Sequence, residues 1–256
     1  METSPDPWIG ALRHSHERLQ ALVGPLDLAG LEQRSYASEW SIAQVLSHLG
    51  SGAEIFGLFL EAGLAGRELP GRDAFVPVWS TWNAKDPQAQ AADGLRADAA
   101  TLERFESLDA DQRALRLQVF GMDMDLVGLA RMRVSEHAVH TWDVAVALDP
   151  SATVAPDAVG LLIDTVGQLA ARSAKPDGKE RRILVSTSEP ERRFVLQTGE
   201  GVSLSAAVGE EGLPELRLPG EAFVRLVYGR LGPHHTPPVE ADGVDLDELR
   251  QLFPGF

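Results

Sequence analysis

Apolar residues recur at three- and four-residue intervals through the first 150 positions, then give way to short β-type runs. Over residues 7–23, Trp8, Ile9, Leu12, Leu19 and Leu22 keep helical spacing with charges between them, which predicts an amphipathic helix. A second helix has its start written into the chain. Ser41 and Gln44 stand at capping-box spacing, and Trp40 and Val45 occupy the flanking staple positions. From there Ile42, Val45, Leu46, Leu49, Ala53, Phe56 and Leu60 continue a single apolar stripe. Asp86-Pro87 opens a third helix running to about Leu108, since proline suits the first helical position. The fourth runs from about Asp125 to Leu148 and stops before Asp149-Pro150, because proline disfavours helix in the residue before it. Four such helices pack most simply as an antiparallel bundle over residues 1–150.

Beyond Pro150 one more helix is expected over 156–174, followed by the loop Lys175-Pro176-Asp177-Gly178. Runs of β-type residues then appear at 182–186, 194–197, 202–207 and 216–218, parted by turns such as Ser188-Glu189-Pro190 and Gly199-Glu200-Gly201. Helices follow at 220–231 and 246–252. Residues 151–256 therefore read as a smaller α+β domain with a mainly antiparallel sheet, and the 256-residue chain as a two-domain α+β protein.

Charge narrows the partners. A formal net charge of −15 repels phosphate backbones and anionic lipid, which argues against nucleic-acid or membrane-surface binding. A small anionic substrate stays compatible, because a site needs only one or two local cations. The chain has no cysteine, which excludes disulfides, cysteine zinc knuckles and a cysteine nucleophile. Any sulfur chemistry must use a thiol supplied from outside. The first ten residues lack the basic start and apolar run of a signal peptide, and no apolar stretch reaches bilayer length, so a cytoplasmic protein is expected.

No nucleophile elbow, glycine-rich dinucleotide turn or phosphate-binding loop is present. The fourth helix draws attention instead, because Arg133, Glu136, His140 and Asp143 recur at intervals of three, four and three and so share one face. Glu136 and His140, one turn apart, are close enough to hold one ion together. His48 sits at the border of the second helix's apolar stripe. Each has a plainer reading. Carboxylate–histidine pairs are common on solvated helix faces, a lone histidine is often a satisfied core residue, Arg133 and Glu136 could form a surface ion pair, and His137 is a rival ligand.

The run Trp40-Ser41-Ile42-Ala43-Gln44-Val45-Leu46-Ser47-His48-Leu49, followed by Arg133, Glu136, His140, Trp142 and Asp143, resembles the mycothiol-dependent maleylpyruvate isomerase family. That family belongs to the DinB-like group of metal-binding four-helix bundles. Its pattern is a tryptophan opening the second helix, a histidine eight residues on, and an arginine, glutamate, histidine and aspartate on the last bundle helix. The likeness continues through Phe223 to Tyr228-Gly229-Arg230 and the terminal Leu252-Phe253-Pro254-Gly255-Phe256, in a C-terminal domain similar to sterol-carrier-like folds.

The resemblance implies that His48, Glu136 and His140 bind a divalent metal, typically Zn2+, with positions left for water or thiol. Two neutral imidazoles and a carboxylate are a known catalytic zinc set. A site of net charge +1 deprotonates a bound thiol and holds the thiolate ready. Asp143, one turn beyond His140, either orients a ligand imidazole or simply faces solvent. In the family the thiol is mycothiol. Its thiolate adds to the cis double bond of maleylpyruvate, the new single bond rotates, and elimination returns the trans isomer. Other members resemble thiol S-transferases, which stop at the adduct. Arg230 is the candidate for gripping the carboxylate of a small, electrophilic substrate, since guanidinium pairs bidentately with carboxylates, and its plainer reading is a surface arginine at a helix C-terminus; Arg133 is expected to salt-bridge within the bundle rather than face substrate. Two rivals stand beside this reading: a non-catalytic ligand-binding or regulatory protein built on a DinB-like bundle, and a thiol-independent metal hydrolase.

Overall fold

Helix α1 (Asp6–Val23) buries Trp8, Ile9, Leu12 and Leu19 along the side their spacing predicts. The computed structural model describes residues 4–37, 39–119 and 121–255, and the chain parts into two units between Ala152 and Thr153. After the short α2 (Leu28–Glu32), helix α3 (Ile42–Leu64) starts at the expected capping box. The Gln44 amide N–H donates to Ser41 Oγ at 3.2 Å, and the Ser41 N–H donates to Gln44 Oε1 at 2.9 Å. Two otherwise orphaned backbone donors are thereby satisfied.

Helix α4 (Arg72–Asn83) is absent from the sequence-based reading, and Pro77 inside it explains why, since an internal proline argues against helix. Packing decides otherwise: Phe75, Val78 and Trp82 are buried, and Trp82 Nε1 donates to Glu54 Oε2 at 2.8 Å. Helix α5 (Pro87–Glu106) begins at Asp86, whose side chain accepts from the Ala89 N–H at 2.8 Å. Helix α6 (Ala110–Arg113) and a hairpin, β1 (Arg116–Val119) with β2 (Met122–Asp125), also lie outside the four-helix expectation. Asp125 ends the hairpin and caps α7 (Leu126–Leu148), accepting from the Gly128 N–H at 2.8 Å. At the far end Asp149 is extended, as the following Pro150 requires.

The long helices α1, α3, α5 and α7 form the bundle, with α1 against α7 and α5, and α3 against α5 and α7. Helices α3 and α5 approach closely because glycines meet there. A Cβ on Gly94 would lie 2.5 Å from the Leu46 carbonyl oxygen, and one on Gly50 would lie 2.9 Å from Gly94 Cα. This crossing seats α5 against α3, and Asp98 lies one turn beyond it.

In the second unit the helix expected over 156–174 is two helices, α8 (Pro156–Leu162) and α9 (Val166–Ser173). They break where the Thr165 N–H and Oγ1 both donate to the Leu162 carbonyl, at 2.8 and 2.9 Å, replacing helical hydrogen bonds with a turn. A five-stranded sheet follows: β3 (Arg181–Ser188), β4 (Arg192–Thr198), β5 (Val202–Ala206), β6 (Glu215–Pro219) and β7 (Glu240–Asp242), in the order β5-β4-β3-β6-β7. Only β3 and β6 pair in parallel, so the sheet is mainly antiparallel. Strand β7, exposed throughout, carries no apolar signal and was not expected. Helix α10 (Gly220–Val227) ends before the expected Leu231, because Gly229 takes a left-handed φ of 70°. Any side chain at Gly229 would strike Pro254 and Gly255, which close over this turn after α11 (Leu246–Leu252). Phe256 of the terminal motif lies outside the described residues.

Candidate metal centre

His48 lies two turns into α3, while Glu136 and His140 are one turn apart on α7. The fold brings these three sequence-selected residues together. His48 Nε2 lies 3.1 Å from Glu136 Oε2, and His140 Nε2 lies 3.8 Å from the same oxygen. Ligand atoms on a tetrahedral zinc ion, at the usual Zn–N and Zn–O lengths, stand about 3.3 Å apart. The donor set and its spacing therefore fit a divalent ion. The site is open, since the side chains of His48 and Glu136 are 36% and 43% exposed. Trp40, at the N-terminal end of α3, walls one side with its ring centroid 5.0 Å from that of His48 and 5.9 Å from that of His140.

The protonation states suit ligation. Burial lowers the His140 pKa and His48 nearby adds to the effect, outweighing the Asp143 hydrogen bond, so the imidazole is neutral at pH 7. Partial removal from bulk water raises the Glu136 carboxyl. The His48 hydrogen bond and the electrostatic pull of His140, His48 and Arg133 outweigh that and hold it at about 2. Asp143, fully buried, meets His140 Nδ1 at 2.9 Å through Oδ2. That contact fixes the ring and leaves Nε2 turned toward Glu136, the arrangement by which an outer carboxylate orients a ligating histidine.

Residues 12–145, just over half the chain, match the family model described as the mycothiol maleylpyruvate isomerase N-terminal domain. The chain belongs to this family. The matched span contains His48, Glu136 and His140. Among solved structures the fold resembles the crystal structure of the mycothiol-dependent maleylpyruvate isomerase, with a TM-score of 0.67 at 14% identity over 89% of this chain and 90% of that one. A mutant of that isomerase matches with the same score and coverage at 13% identity. At such identity the likeness speaks for the fold. A search of curated proteins finds no match.

In this family member Arg133 forms its ion pair inside the bundle, and His137, the rival ligand, is turned away from the open site. Both point into the bundle and meet Asp98 of α5. Arg133 Nη2 donates to Asp98 Oδ1 at 2.7 Å and to the Leu49 carbonyl at 2.9 Å. Asp98 Oδ2 lies 2.7 Å from both His137 Nε2 and His16 Nδ1. Ser15 Oγ meets His137 Nδ1 at 2.8 Å and Thr141 Oγ1 at 3.2 Å. Asp98 and His137 are 2% and 0% exposed. Burial alone would raise the Asp98 carboxyl, but His137, Arg133 and His16 hold it well below the ordinary range. His137 is thus committed elsewhere and does not compete for the open site.

Sequence reasoning missed Asp98, although a signal was there. It occupies the inward stripe of α5 with Ala91, Gly94, Thr101, Leu102 and Phe105, and a carboxylate on such a stripe needs a partner. Arg230 belongs to the second unit. Its Nη1 donates to the Tyr228 carbonyl at 2.7 Å and its backbone N–H to the Arg225 carbonyl at 2.7 Å, so the turn after α10 sets its position.

Proposed function

We propose that this protein is a metal-dependent isomerase that uses a low-molecular-weight thiol, mycothiol, on a small cis-unsaturated acid of the maleylpyruvate type. The observation that carries the reading is the convergence of His48, Glu136 and His140 on one solvent-reached point, in a chain that belongs to this family. These three residues would hold a divalent ion, with Zn2+ favoured by the donor set. When bound, the ion supplies a Lewis acid that lowers the pKa of a thiol and keeps it as thiolate.

The chain's own residues do the rest. Asp143 keeps His140 in one tautomer and orientation, so its Nε2 lone pair is presented without reorganisation. Trp40 closes one flank of the site. The absence of cysteine removes any internal thiol that would compete with the supplied one. The thiolate adds to the alkene carbon, the former double bond rotates as a single bond, and expulsion of the same thiolate restores the alkene as trans. Atoms balance and the thiol is regenerated. Arg230 is assigned the substrate carboxylate, on the family resemblance and on the fit of guanidinium to carboxylate.

The test is a paired assay: metal content of the purified protein, and cis-to-trans conversion of maleylpyruvate with and without mycothiol. One ion per chain with thiol-dependent conversion supports the reading. Conversion without thiol, or none in a metal-loaded protein given thiol, overturns it.

A further inference from the structure

Each residue of the open cluster is followed in the chain by one that the buried network grips. After His48 comes Leu49, whose carbonyl accepts from Arg133. After Glu136 comes His137, bound to Asp98. After His140 comes Thr141, which meets Ser15 and His137. Successive helical side chains point about 100° apart, so on α7 the side chains after Glu136 and His140 turn toward the bundle interior, while after His48 it is the backbone carbonyl of Leu49 that is held. Three ligand positions on two helices are therefore fixed from behind by one hydrogen-bonded unit, and Asp98 on a third helix is its centre.

We propose that Asp98 is a positioning residue for the metal centre: through His137 and the Arg133–Leu49 bridge it sets the rotation of α7 against α3, and so the spacing of His48 from Glu136 and His140. This rests on the metal reading above. Asp98 touches no ligand side chain. It acts through Arg133, His137 and His16, which converge on it from α7 and α1. The network is buried and hydrogen-bonded at short range, so it has one arrangement. The open site has ligands at 3.1 and 3.8 Å with solvent beside them, and needs its geometry imposed. The Arg133 guanidinium already neutralises the Asp98 carboxylate, and the imidazoles of His16 and His137 are both turned to it at 2.7 Å.

The experiment titrates Zn2+ and Co2+ into the full-length native chain, Asp98→Asn, Arg133→Lys and Phe105→Ala, at a temperature where circular dichroism shows each folded. Phe105 is buried on α5 two turns beyond Asp98 and outside the network, so its truncation reports loss of stability alone. Asp98→Asn is expected to weaken metal binding severalfold, less than the roughly 10- to 100-fold of a direct partner of a ligand because it acts one contact further out, and to shift the visible spectrum of bound Co2+. Phe105→Ala should lower the melting temperature and leave affinity and spectrum native. If Asp98→Asn fails to fold, Arg133→Lys decides, since it keeps the charge but shortens the bridge. It should weaken binding severalfold. Native affinity and spectrum in a folded Asp98→Asn, or in Arg133→Lys where that variant decides, overturn the positioning role while leaving the metal reading intact. Failure of the native chain to bind either metal overturns the proposed function, and this inference with it.

Discussion

Two clusters in the helical unit have the same composition, two histidines and one carboxylate, and opposite characters. In His16–Asp98–His137 the carboxylate is pinned at 2.7 Å by both imidazoles and by Arg133, out of contact with water. In His48–Glu136–His140 the corresponding distances are 3.1 and 3.8 Å, with solvent at the door. The difference is the resident cation. Arg133 supplies the positive charge that a buried carboxylate needs, so the inner cluster is complete as a protein structure. The outer cluster has a carboxylate held ionised and a neutral His140 turned toward it, which suits a cation brought from outside. Donor composition does not distinguish a scaffold from a site; the source of the countercharge and the access of water do.

If the inner cluster is scaffold, the largest effect on stability belongs there. Asp98→Asn leaves Arg133 buried without its partner and should cost about 3–5 kcal/mol, read from thermal or denaturant melts. His48→Ala should cost under about 1 kcal/mol in the metal-free protein, because an exposed pair contributes little. Equal losses would erase the distinction. The pH dependence sharpens it further. The Asp98 pKa is lowered on folding from its ordinary value of 3.8, so its contribution is fully present above that value and is lost as pH falls through the folded-state pKa. The stability gap between the native chain and Asp98→Asn should thus be present at pH 5 and be lost as the pH falls into strong acid. A gap that closes near neutrality would contradict the assignment of charge to Asp98.

A smaller effect is expected just behind the outer cluster. Asp143→Asn keeps the size but weakens the hold on His140 Nδ1, and should loosen zinc binding by about 10- to 100-fold in a competition titration. The mildest change is expected at Arg230→Ala. It should raise KM for an anionic substrate by about tenfold, the value of one charge-assisted hydrogen bond, with metal content unchanged. An unaltered KM would remove Arg230 from the site.

Much of this was legible locally and little of it at long range. Ser41 and Gln44 announce α3, Asp86-Pro87 announces α5, and Asp149-Pro150 ends α7, because caps and prolines act within one turn. Helix α4 was hidden by Pro77, and the break after Leu162 by a sequence that keeps its apolar spacing through the turn. His48, Glu136 and His140 were selected by resemblance and spacing, and the fold places them together. The inner cluster was not legible, since Asp98 meets residues 82 positions before it and 39 after it. An ion pair of Arg133 within the bundle was legible but its partner Asp98 was not, and His137 stayed a rival ligand because helical spacing gives the relative angles of side chains and not which angle faces inward.

The outer cluster, and not the inner one, is proposed to hold the metal. Elemental analysis of the native chain, His48→Ala and His16→Ala, each purified after incubation with zinc, tests it directly. One ion per chain is expected in the native protein and in His16→Ala, and none in His48→Ala. Metal retained by His48→Ala and lost from His16→Ala would contradict it.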